Sequence, residues 1–380
     1  MRSHGSCVWI VTLLAGLLVS SALAQPDWEQ KATTGPSARQ DAAMAYYPPS
    51  GTMVLFGGHT GNWVALNDTW EWDGSNWTQE SPAHPPPGRM GAAMAYDADR
   101  QEIILFGGRN NGDRDNTYVW DGADWAEVFP AQRPPGRMQH TMSYDAVRQR
   151  VVMFGGCDGY DPGDHFADTW EWDGIDWTQV AAGGPPARRL HGMTYHADSG
   201  KTIVFGGFYA GAKFNDTWEW DGSSWTEAFP AHSPSERYGH GMSYHAIRGT
   251  AVIYCGSGGA NQTWEWDGSD WTQVVTAHNP GYRMYHAMAY DAVRRATVLF
   301  GGWGGDMEGD TWEFSGGEPE CPGDIDGDGD TDHSDLGELL SAWCTHEGDA
   351  DWNPDADLDG DGHVGHGDLG ILLADWGCGT

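Results

Sequence analysis

At 380 residues the chain has room for one large core and a small second domain, and its 20 Lys and Arg stand against 55 Asp and Glu for a net charge of −35. A surface of that sign repels phosphate backbones and anionic lipid, which argues against nucleic acid and membrane surfaces as partners and suits a protein that holds cations. No Lys or Arg follows Arg295, and the 22 Trp and 55 Gly are high for globular composition because both belong to one repeated stretch.

The first 24 residues read as a secretory signal. Arg2 and His4 lead an apolar run from Val8 to Val19, and Ala22-Leu23-Ala24 is a small-x-small cleavage site. The run is too short to span a bilayer comfortably. The expectation is export, cleavage after Ala24 and a secreted or cell-surface protein in an oxidising compartment.

From residue 25 to about 317 the chain repeats itself. Each unit opens on an arginine (Arg39, Arg89, Arg137, Arg188, Arg237, Arg283), spaced 46 to 51 residues apart, then a strand such as Met44-Ala45-Tyr46. An apolar strand ending in Phe-Gly-Gly follows, as at Phe56-Gly57-Gly58; the fifth unit has Cys255-Gly256-Ser257 where that triad is expected. A variable loop leads into a Trp-x-Trp strand, an Asp-Gly turn and a last strand bearing another Trp, as in Trp70-Glu71-Trp72-Asp73-Gly74 and Trp77. Trp70 and Trp72 share a strand face, and Asp73-Gly74 is expected to supply the positive backbone angles of a tight hairpin. Four short strands cannot bury such faces alone, whereas sheets packed face to face in a closed ring can. The sixth unit lacks its fourth strand, and Asp27-Trp28-Glu29-Gln30 matches the missing piece.

Arginine, strand, Phe-Gly-Gly, Trp-x-Trp, Asp-Gly and Trp, in six copies, resemble the kelch-repeat β-propellers, of which the galactose oxidase central domain is one. The resemblance implies an all-β, six-bladed propeller closed by the N-terminal strand. The six arginines would stand near the channel mouth, either as an anion-binding ring or, as their presence in every unit favours, bonding a neighbouring blade's backbone. His140, His191, His240 and His286 follow their arginines by three residues, with Ala42 and Ala92 in the first two units. Around a channel they could hold a metal or serve as structural side chains. The loops between second and third strands differ most, and their aromatic and polar residues, Trp63, Arg109, Tyr160, His165, Tyr209 and Trp303, are candidate ligand-binding positions.

Residues 318 to 380 have another composition. Asp324, Asp326, Asp328, Asp332 and Asp335 stand at positions 1, 3, 5, 9 and 12 of a loop, with Gly329 at the turn and the Asp330 carbonyl at position 7. A second loop offers Asp357, Asp359, Asp361, the His363 carbonyl and Asp368, with Gly365 at position 9. This spacing supplies the oxygens that calcium requires, so Ca2+ is the expected cofactor. After each loop comes an apolar stripe, Leu336, Leu339, Leu340 and Trp343 matching Leu369, Leu372, Leu373 and Trp376, expected to pack helix on helix. Cys321, Cys344 and Cys378 allow three pairings, of which Cys321 with Cys378 would clasp the ends.

The duplicated loop-then-helix resembles a dockerin type I domain. Dockerins bind cohesins through loop positions 10 and 11, here His333-Ser334 and His366-Gly367 rather than the hydroxyl and apolar pairs of cellulosomal examples. A cell-surface component therefore stands beside a cohesin-like protein as partner. The functional expectation is a secreted, non-enzymatic protein whose propeller recognises an extracellular protein or polysaccharide and whose calcium-ordered module tethers it. The alternative is an extracellular polysaccharide-active hydrolase or lyase, because dockerins accompany glycan-degrading domains.

Overall fold

The computed structural model describes residues 25–32, 34–61, 63–112, 114–159, 164–181 and 183–316, then 331, 333–342 and scattered positions from 353 to 373. The expected signal segment, Tyr160, Trp343, Trp376, the three C-terminal cysteines and every expected calcium ligand except Asp335 lie outside the described residues.

Six four-stranded antiparallel sheets form the blades of a β-propeller. The first blade runs Ala43–Tyr47, Thr52–Phe56, Thr69–Trp72 and Trp77–Glu80. The sixth runs Ala287–Asp291, Ala296–Trp303 and Met307–Ser315, and its fourth strand is the N-terminal segment Asp27–Ala32, paired with Trp28 opposite Phe314. The expected closure is what the chain does.

The core lies between blades. Val54 and Phe56 of the first blade pack with Ile103, Leu105, Trp120 and Trp125 of the second, and the same set recurs at the other junctions. Second strands are therefore covered on both faces: Met53, Val54 and Leu55 are all fully buried.

Three closed circles of hydrogen bonds tie blade to blade. Outermost, the fourth-strand Trp of each blade donates its indole N–H to the third-strand Thr of the preceding blade. Trp125 meets Thr69 at 3.0 Å, Trp177 meets Thr117 at 3.0 Å, and Trp28 completes the circle on Thr263 at 2.9 Å. In the middle circle the second glycine of each Phe-Gly-Gly donates to the carbonyl of the next blade's arginine, as Gly58 to Arg89 at 3.0 Å and Gly302 to Arg39 at 2.8 Å. A Cβ on Gly57 would lie 2.5 Å from that Arg89 carbonyl, which is why glycine stands there. The innermost circle belongs to the site described below.

Two local expectations are corrected. The fifth-blade counterpart of Phe-Gly-Gly is Tyr254-Cys255-Gly256, one residue earlier than expected: Tyr254 ends the second strand, Cys255 takes the first glycine's left-handed backbone at φ 52°, and Gly256 donates to Arg283 at 3.1 Å. In the Asp-Gly turn only the glycine is left-handed (Gly74, φ 93°). Asp73 instead caps the turn, its Oδ1 accepting the Ser75 and Asn76 N–H groups at 2.7 Å each.

Among the described C-terminal residues, His333–Ser341 is a helix. Leu339 and Leu372 are buried together with Leu336 and Leu369 beside them, as the stripes predict, but Leu340 and Leu373 are 54% and 56% exposed, so the apolar face is narrower than expected. Asp335 is buried in the first turn of the helix.

Candidate functional site: the loop-face mouth of the axial channel

The innermost strands enclose a channel of three chambers. A mouth of 170 Å³ opens on the face of the variable loops, a chamber of 190 Å³ lies below it, and one of 290 Å³ lies at the far end. One methionine from each blade, such as Met44 and Met94, lines both deeper chambers and marks the lower neck. The upper neck carries Asp41, Gln139, Leu190 and Tyr285, which line both mouth and middle chamber.

Those four residues, with Gly91 and Gly239, occupy the position two after each arginine, and all six are left-handed: Asp41 at φ 55°, Gln139 at 56°, Leu190 at 59° and Tyr285 at 62°. Each N–H donates to the carbonyl at the same position one blade back, at 2.7 to 3.0 Å, from Gly91 on Asp41 round to Asp41 on Tyr285. This is the third circle. Left-handed backbone costs a non-glycine residue about 1–2 kcal/mol, and it persists where the surroundings over-determine it, typically at functional sites. The backbone repeats around the circle while the side chains do not.

The side chains around the mouth form two groups. On one side Arg189 donates through Nη1 to Gln139 Oε1 at 2.7 Å, and its guanidinium lies 5.5 Å from the Phe208 ring. Phe208 packs on Tyr238 at 5.1 Å, and Tyr238 on Tyr285 at 6.4 Å. Burial, with Tyr238 and Asp41 adding to it, pushes the Tyr285 hydroxyl above its usual range, so it remains a donor at neutral pH. On the other side His59 is buried, 3.0 Å from the Gln40 amide and 3.6 Å from Asp41 Oδ2. Gly61 N–H donates to His59 Nδ1 at 3.1 Å, so the ring's Nε2 is the nitrogen that faces Gln40 and Asp41. Trp63 stacks on that imidazole at 4.8 Å and 19° and is 63% exposed.

Of the positions expected from the sequence, Trp63 lines the mouth; Arg109, His165, Tyr209 and Trp303 are not among its lining residues. His165 and Tyr209 pack edge to face at 5.3 Å, Arg109 pairs with Met90, and Trp303 with Met307. Sequence reasoning missed Asp41, Gln139, Arg189, Leu190, Tyr238 and Tyr285. The available signal was the pair of positions directly after each repeated arginine, whose residues change from unit to unit, as Gln40-Asp41, Arg189-Leu190 and Tyr238-Gly239 do.

The arginines are structural, as their repetition suggested, but each side chain serves its own blade and only the backbone reaches the neighbour. Buried Arg39 donates to Gly57 O at 3.0 Å and to both oxygens of Asp68 at 2.7 and 2.8 Å, tying the second strand to the third. Burial alone would raise the Asp68 carboxyl, but the Arg39 bonds and charge outweigh it and hold it low. Two blades lack the carboxylate. Arg89 meets Asn116 at 3.2 Å and Arg237 meets Gln262 at 3.4 Å, and burial lowers both guanidinium groups to about 10.

The four histidines are wedges between blades, His140 packing on Phe106 at 5.6 Å and His191 on Phe154 at 5.3 Å. Burial drives all four well below the usual imidazole range, His240 to about 3, so they are neutral in the fold. Among the described residues no group of three or more His, Cys, Asp or Glu is placed to hold a metal ion, and no helix is long and apolar enough to cross a membrane.

Residues 117–262 match the family model of the KLHDC2/KLHL20/DRC7 Kelch-repeats domain. That match supports a kelch-repeat reading of the blades it covers. Kelch propellers are typical of protein-interaction domains. That match spans part of the second blade, all of the third and fourth, and the opening of the fifth, while the four-stranded sheet itself recurs in all six. No curated protein matches the chain.

Proposed function

We propose that the protein is an exported interaction protein whose kelch propeller takes its partner on the loop face, over the channel mouth. The observation that carries this reading is the innermost circle. Six positions share one left-handed backbone conformation and one hydrogen-bond pattern, yet bear Asp41, Gly91, Gln139, Leu190, Gly239 and Tyr285. A scaffold that repeats its backbone and varies its side chains at a single ring presents those side chains for recognition. The aspartate-rich loops from Asp324 to Asp335 and Asp357 to Asp368 bind calcium in this proposal and tether the protein to a surface component.

The test is capture from the native extracellular milieu by full-length protein, with and without calcium, beside Tyr285→Ala. Capture that is lost in Tyr285→Ala supports the mouth as the site, and capture indifferent to that change contradicts it. Titration calorimetry of the full chain addresses the calcium proposal: heat of binding at millimolar calcium or below is expected, and its lack would end that part of the reading.

A further inference from the structure

Resting on the mouth as the binding site, we propose that its ligand is a neutral saccharide, with one sugar ring stacked on Trp63 and its hydroxyls engaged by Asp41, Gln139 and Arg189. Trp63 is 63% exposed but not loose: His59 lies flat beneath it at 4.8 Å, and its backbone is left-handed at φ 58°. An indole held outward at such conformational expense is a platform awaiting a flat apolar face, and the C–H face of a pyranose is one.

Across the mouth from that platform stand planar forked groups, the kind that span two adjacent hydroxyls with two hydrogen bonds. Arg189 and Gln139 fix each other through their 2.7 Å bond, so neither must be ordered by the ligand. Asp41 lines the same mouth and adds carboxyl acceptors on the His59 side.

Two further features narrow the class. The backbone N–H and C=O groups of the six neck residues are consumed in the hydrogen-bond circle, so among the described residues the neck offers no main-chain edge on which an extended peptide could add itself. Side-chain recognition remains, and it suits a ligand whose polarity lies in hydroxyls. At 170 Å³ the mouth falls below the ~300–1,000 Å³ of drug-sized pockets, so it admits a single ring, with the chain continuing over the rim. The net charge of −35 disfavours acidic glycans.

Affinity electrophoresis of the full-length protein tests this, in native gels containing dextran, hydroxyethylcellulose, galactomannan or xylan, with polygalacturonate as the acidic comparison. Retardation is expected in at least one neutral gel and should weaken at least tenfold in Trp63→Ala and in Gln139→Ala. Because the Trp63 side chain is exposed, an unchanged melting temperature will show that Trp63→Ala is folded. No retardation in any neutral gel, retardation only by polygalacturonate, or retardation unaffected by Trp63→Ala overturns the proposal. If capture of a protein partner depends on Trp63 while no gel retards the chain, the saccharide class falls and the mouth stands as the site. If neither depends on Trp63 or Tyr285, both fall.

Discussion

Replacing Trp28 by Ala tests whether the N-terminal strand truly closes the ring. Trp28 is 1% exposed, donates to Thr263 Oγ1 at 2.9 Å, and packs on Tyr254 at 4.9 Å and Phe314 at 5.2 Å. Truncating a buried Trp to Ala costs about 3–5 kcal/mol in lost transfer energy and cavity. The orphaned Thr263 hydroxyl, itself 1% exposed, adds about 1 kcal/mol. A total near ~5 kcal/mol corresponds to a fall in melting temperature on the order of 10 °C for a domain of this size. Trp28→Phe should lose only the hydrogen bond and some area, about 1–2 kcal/mol. Urea unfolding followed by tryptophan fluorescence measures both, with Trp125→Ala, the same contact made inside the chain, as the reference. A Trp28→Ala loss under about 1 kcal/mol beside a large Trp125→Ala loss would refute closure by this strand.

Acid should weaken the propeller well before its carboxylates titrate. The four inter-blade histidines stay neutral when folded, while the unfolded chain takes up protons below about pH 6.5. Protonation therefore favours unfolding, and stability is lost as pH falls from about 6.5 toward 5. Each site contributes up to about 1.4 kcal/mol per pH unit, so four together approach ~5 kcal/mol per unit. His140→Ala, which copies Ala42 and Ala92 of the first two blades, should flatten the slope by one histidine's share, since burial also lowers His196 and His245; a urea midpoint independent of pH over this range would contradict the assignment. Gln262→Asp should stabilise the fifth blade by about 1–2 kcal/mol, because it gives buried Arg237 the carboxylate that Arg39 finds in Asp68. A drop in the urea midpoint of that variant would show that the neutral pairing is preferred there.

The ring of blades was legible because its signal is covalent and repeated. Trp-x-Trp, Asp-Gly and Phe-Gly-Gly fix strand ends and turns at each recurrence, and the unmatched Asp27-Trp28-Glu29-Gln30 had one place to go. The site was less legible for a physical reason. The loop candidates were chosen as variable and aromatic, but of those described only Trp63 lines the mouth. Most of the residues that do converge there sit one or two places after an arginine, inside the segment that looks most uniform, and what exposes the second of those places is backbone handedness, as at Asp41 and Tyr285. Neither a single φ angle nor the Arg189–Gln139 bond between successive blades is written in local spacing. The fifth-blade register slipped by one because Tyr254-Cys255 conceals a Phe-Gly pair whose backbone requirement Cys255 meets against its own preference.

Hydrogen–deuterium exchange of the full-length protein, with and without whichever ligand the capture or gel experiments identify, tests the site most directly. Slowed exchange is expected in the loops bearing His59 to Trp63 and Phe208 to Lys213, and in the backbone N–H groups around Arg189 and Tyr285. Protection centred instead on the far chamber, where Tyr46, Tyr96 and Tyr144 stand, or on the outer strands bearing Trp77 and Trp125, would contradict the loop-face mouth as the place where this propeller meets its partner.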